Sequence, residues 1–116
     1  MKKIEKIAII DYGVGNLFSV NKAFSRLGFD SFITAEPNDI LASTRVVLPG
    51  VGAFGNGMRK LAETGLVAVI KEFASSGKPL LGICLGAQLL LESSQEFGKT
   101  SGLGIIKGEV VEIPKE

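Results

Sequence analysis

The chain has 116 residues, enough for one domain and too few for two, and its 46% hydrophobic and 22% charged content supports a packed core. Lys plus Arg (13) against Asp plus Glu (12) leaves a net charge of +1, which gives no electrostatic reason to expect a nucleic acid or an anionic membrane as partner. One cysteine and no histidine exclude an internal disulfide, and the carboxylates that remain stand at no metal-ligand spacing.

The first apolar run, Ile7-Ala8-Ile9-Ile10, is rich in β-branched residues and reads as a strand. Behind Met1-Lys2-Lys3 it is too short for the apolar region of a signal peptide, and it leads straight into Asp11. A glycine-bearing turn follows, Asp11 to Asn16, with Asn16 placed to cap a helix. Leu17, Val20, Phe24 and Leu27 fall on one face of that helix, and Gly28 stops it. Ser31–Thr34 and Arg45–Leu48 read as the second and third strands. Met58 and Leu61 begin one helical segment, and Val67, Ile70 and Phe73 mark another, closed by Gly77 and Pro79. Leu80–Ile83 is the fourth strand. A helix opens at Leu85 and closes at Ser93 and Ser94, to which no chemistry is assigned. Val110–Ile113 is the last strand. No apolar stretch reaches the ~20 residues needed to span a bilayer, so the expected location is the cytoplasm.

This alternation predicts a single α/β domain over residues 1–116: a flavodoxin-like, doubly wound, mainly parallel sheet with helices on both faces. Right-handed crossovers bring the carboxyl ends of such strands to one edge, where ligands bind. Three turns should gather there: Asp11 to Asn16, Pro49 to Gly52, and the turn at Cys84.

Gly82-Ile83-Cys84-Leu85-Gly86 has the G-x-nucleophile-x-G form of a nucleophile elbow. A sharp strand-to-helix turn would expose the thiol at a helix N-terminus, where partial positive charge favours a thiolate. The Leu85 amide would then face a carbonyl under attack. The competing reading makes Cys84 a small buried hydrophobe. In Pro49-Gly50-Val51-Gly52 the backbone amides, Val51 N–H first among them, could supply a second oxyanion donor; alone, the tetrapeptide reads as a flexible turn. Gly13-Val14-Gly15 resembles the start of a dinucleotide fingerprint, but Phe18 stands where the third glycine belongs and Asp30 suits the ribose acid only loosely. Gln88, one helical turn beyond Cys84, can reach over the elbow or stand in solvent.

Together, "IAIIDYGVGNLFSV", "VVLPGVGAFGNGM", "PLLGICLGAQLLLESSQE" and "GLGIIKGEVV" resemble, in that order, the glutaminase subunits of imidazole glycerol phosphate synthase. These are class I glutamine amidotransferases of histidine biosynthesis. The resemblance implies that Cys84 attacks the glutamine carboxamide and forms a glutamyl thioester. It implies an oxyanion hole from Val51 and Leu85, glutamine held by Gly50, Gly52 and Gln88, and no tightly bound cofactor. It also implies a (β/α)8 barrel cyclase partner that takes up the ammonia. The family carries a triad histidine and glutamate near the C-terminus of a longer chain, whereas this sequence reaches Ile113-Pro114-Lys115-Glu116 without them. The expectation is therefore an N-terminal portion or split variant, inactive alone, that self-associates or binds the missing half through a strand edge left open at Val110–Ile113. Two other functions stay open: a non-catalytic flavodoxin-like binding module, and an amidotransferase feeding ammonia to a surface-sugar pathway.

Overall fold

A computed structural model describes residues 4–114; Met1-Lys2-Lys3, read above against a signal peptide, and Lys115 and Glu116 lie outside the described residues. The first apolar run forms β1 (Ile4–Ile10), and the capped helix after it forms α1 (Leu17–Arg26). The Asn16 side chain accepts the Ser19 N–H at 3.3 Å, as an N-cap should. Next come β2 (Ser31–Thr34), α2 (Pro37–Ala42), β3 (Ser43–Leu48), α3 (Phe54–Glu63), α4 (Leu66–Ser75) and β4 (Leu80–Gly82). β1 to β4 make a parallel sheet in the order β2-β1-β3-β4.

The alternation along β1 sends its residues to opposite faces. Ala8 and Ile10 join Val46 and Leu48 in the larger core, against Ile40, Leu61, Leu66, Ile70 and Phe73 from α2, α3 and α4. Ile7 and Ile9 join Val47 on the other face, which α1 covers through Leu17, Val20 and Phe24. Each such side chain taken fully from water is worth about 1.5–3 kcal/mol, so the deeper face supplies most of the stability. The α1 face is thinly covered: an apolar cavity of about 270 Å³ runs beside it, lined in part by Phe24, Val47 and Leu81. Among the described residues β2 pairs only with β1 and β4 only with β3, so the main sheet has an open edge at each of these two strands.

The expected order omitted α2, a six-residue helix too short to show a period; Pro37 at its first position and Asp39 in its first turn were its marks. Two boundaries also differ. The helix after Cys84, α5 (Leu85–Leu89), ends early, and Ser93 and Ser94 belong to a strand, β5 (Leu91–Ser94). The carbonyls of Leu89, Leu90 and Leu91 accept the N–H groups of Leu103, Ile105 and Gly104 at 2.9–3.0 Å, so they cannot continue a helical ladder. The last strand runs Ile106–Val110 (β7), not Val110–Ile113; Lys107-Gly108 inside it looks like a turn, and Gly108 is at φ +124. β7 lies parallel to β5, and β6 (Thr100–Ser101) antiparallel on its other side, making a second, three-stranded sheet. No helix among the described residues is long and apolar enough to cross a membrane.

Candidate active site

The junction between β4 and α5 turns sharply enough to place Cys84 at φ 55, ψ −120, a conformation that side-chain-bearing residues rarely hold. Such a torsion costs on the order of 1–3 kcal/mol and persists only where its surroundings impose it. Here they do. On the strand side Ile83 N–H donates to Leu48 carbonyl at 3.0 Å, and on the helix side Leu85 N–H donates to Gly50 carbonyl at 3.1 Å. The two glycines of the motif make room for that packing. A Cβ at Gly82 would stand 2.6 Å from Ala87 Cα, and one at Gly86 would run into the Leu48 carbonyl oxygen. The outcome is a thiol on the surface: Cys84 is exposed, unlike a buried apolar filler.

The Pro49–Gly52 turn lies against this elbow from the end of β3. Leu48, Pro49 and Gly50 carbonyls all have donors: Ile83 N–H, Tyr12 hydroxyl (2.5 Å) and Leu85 N–H. Beyond them, Val51 is 60% exposed, and Gly52, at φ +108, has open space where a side chain would project. The structure thus brings Cys84, Leu85 and Gly50 together and leaves the Val51 amide without a protein acceptor among the described residues. The Leu85 amide, expected to serve an oxyanion, is engaged with Gly50. The first turn joins them. A Cβ on Gly15, at φ +112, would stand 3.3 Å from Gly50 Cα, so Gly15 serves close packing on the Pro49 turn.

Gln88 is exposed and lines a cavity of about 520 Å³ with Gln95, Glu96, Phe97, Val110 and Glu112. Glu96 is a residue that sequence reasoning missed. Its Oε1 accepts the Phe54 N–H at 2.9 Å and so caps α3, which has no cap from Ala53. Nothing local could reveal it, because the partners are 42 residues apart. Phe97 beside it is 95% exposed at φ 54. Glu96→Ala is expected to lower stability by about 1 kcal/mol, read as an earlier urea midpoint, with a smaller loss in Glu96→Gln, which keeps an acceptor. Equal loss in both variants would count against the cap.

Tyr12 is the other missed residue. It is 1% exposed, and burial pushes its phenol up to about 12 from the usual 10. No group of three or more His, Cys, Asp or Glu side chains is placed to hold a metal among the described residues.

The sequence matches the family of class-I glutamine amidotransferases across residues 8–114. It is 55% identical over 105 residues to the imidazole glycerol phosphate synthase subunit HisH of Sulfurimonas denitrificans, covering 90% of this chain and 51% of that protein. The HisH subunit of Moorella thermoacetica is also 55% identical, over 108 residues, with 93% and 51% covered. A crystal structure of a glutamine amidotransferase superposes with a TM-score of 0.72 over 86% of this chain and 52% of that one; at 19% identity this likeness concerns the fold alone. The chain spans about half the length of the curated relatives it matches.

Proposed function

Because the chain belongs to the class I glutamine amidotransferase family, we propose that it acts as the glutaminase subunit of an imidazole glycerol phosphate synthase. The observation that carries this reading is the exposed Cys84 on its strained elbow, whose Leu85 N–H donates to the Gly50 carbonyl of the neighbouring turn. The Cys84 sulfur attacks the carboxamide carbon of glutamine, a C–S bond forms, and the carbonyl electron pair moves onto oxygen. That oxyanion needs donors. Leu85 N–H becomes available when the Gly50–Val51 peptide turns, which withdraws the Gly50 carbonyl and presents Val51 N–H from the same side. The C–N bond breaks as the nitrogen takes up the proton lost by the thiol, carried by the acid–base group; ammonia leaves, and water cleaves the thioester to glutamate and the free thiol.

Gly50 and Gly52 suit a wall that glutamine must pass closely, and Gln88 offers an amide at the neighbouring cavity. The ammonia would pass to a (β/α)8 barrel cyclase in a cytoplasmic setting; the relatives' being named subunits of imidazole glycerol phosphate synthase supports a partner subunit. These 116 residues contain no histidine, so the acid–base group must come from outside them. The open edge of β4 and the thinly covered α1 face are where a polypeptide bearing that group would dock, or a second copy in its absence.

A diazoketone analogue of glutamine tests the site without needing that base. The thiol proton passes to the diazo carbon, dinitrogen leaves, and sulfur takes its place. Peptide mapping is expected to find the adduct on Cys84, with excess glutamine slowing its formation. Labelling indifferent to glutamine would overturn the proposal.

A further inference from the structure

We propose that Tyr12 is a positioning residue for the oxyanion loop: its hydroxyl holds the Pro49 carbonyl and so sets where the Gly50–Val51 peptide stands relative to Cys84. This rests on the glutaminase reading above.

A gradient runs along the five residues 48–52. Leu48, Pro49 and Gly50 each have a held carbonyl, whereas the Val51 and Gly52 amides meet no protein acceptor among the described residues. Two of the three holds, from Ile83 and Leu85, belong to the elbow's own backbone. The middle one comes from a side chain 37 residues away, on the turn after β1. At Pro49 the ring already restricts φ, so a bonded carbonyl leaves that residue little freedom. The hydroxyl also fills the space where a Gly50 Cβ would project, which ties the identity of Gly50 to Tyr12. The ring is buried, and the raised phenol keeps its proton, and hence its donor, throughout the neutral range. A phenyl ring in its place would preserve the packing and leave the buried Pro49 carbonyl without a partner.

Tyr12 is the only tyrosine and there is no tryptophan, so tyrosine emission comes from this one side chain, in contact with the Pro49 carbonyl. The test compares two alkylations of Cys84 in the wild-type chain and in Tyr12→Phe. Iodoacetamide needs only the sulfur, while the glutamine diazoketone also places a ketone where the loop amides can polarise it. Tyr12→Phe is expected to slow the diazoketone by about tenfold, the worth of roughly one hydrogen bond, and to leave iodoacetamide within about twofold. Both reagents slowed alike, or neither slowed, would overturn the proposal, since a merely structural tyrosine predicts no difference between them.

A wild-type Cys84 that shows no glutamine-protected diazoketone labelling sinks the glutaminase reading instead. Amide exchange then decides the role of Tyr12. Faster exchange at Leu85 in Tyr12→Phe supports positioning, and unchanged exchange refutes it. Should Tyr12→Phe not fold, the wild-type chain suffices: the diazoketone adduct is expected to shift Tyr12 emission, and unaltered emission refutes the proposal.

Discussion

Incubated alone with glutamine, these residues are expected to release ammonia about 10²–10⁴-fold more slowly than after addition of a polypeptide that supplies a histidine base. The reason lies in the second half of acyl transfer. A thiolate can add to a carboxamide unaided, but the tetrahedral adduct returns to reactants unless the departing nitrogen is protonated. No imidazole exists in the sequence to do this. Leu85 N–H is also committed to Gly50 carbonyl at 3.1 Å, so the donor set for the oxyanion is incomplete until the loop turns. Ammonia release should rise when the second polypeptide is added, and should disappear in Cys84→Ser and when the added histidine is replaced. Full turnover by the 116 residues alone, or gain of activity without Cys84, would contradict the mechanism.

The second large effect is structural. Gly86→Ala is expected to cost about 3 kcal/mol or more, enough to unfold much of the population of a marginally stable domain. The new Cβ would enter the space of the Leu48 carbonyl oxygen, which ends the central strand β3 and accepts Ile83 N–H at 3.0 Å. Both sides of this contact are backbone, held in a sheet and a helix, so no side chain can swing away. Gly55→Ala is the control. Its Cβ meets only Thr100 Oγ1 at 4.0 Å, and it lies in α3, where alanine gains up to about 1 kcal/mol over glycine. Urea denaturation should therefore move in opposite directions for the two variants. A Gly86→Ala protein as stable as wild type would mean that the elbow has more freedom than its packing implies.

The elbow itself was legible because its causes are adjacent in the chain. An apolar strand, two glycines two residues either side of a cysteine, and a helical pattern after it mark a sharp strand-to-helix turn, which the contacts with Leu48 and Gly50 then hold in its strained form. The Asn16 cap and the alternation of β1 were readable for the same reason, since capping and pleating involve residues within one turn or two positions. Other features needed the assembled fold. Helix α5 stops at Leu89 because amides from residues 103–105, in the connection between β6 and β7, claim the carbonyls a longer helix would use. Glu96 reaches Phe54 across 42 residues, and Tyr12 reaches Pro49 across 37. No periodicity marks such pairs. Sequence alone thus determined the position of the cysteine turn and the parallel α/β frame, which follow from local backbone preference and apolar spacing. The tertiary structure decided which backbone groups of the Pro49–Gly52 turn are held, because a hydrogen bond goes to whichever partner the packed sheets and turns bring within about 3 Å.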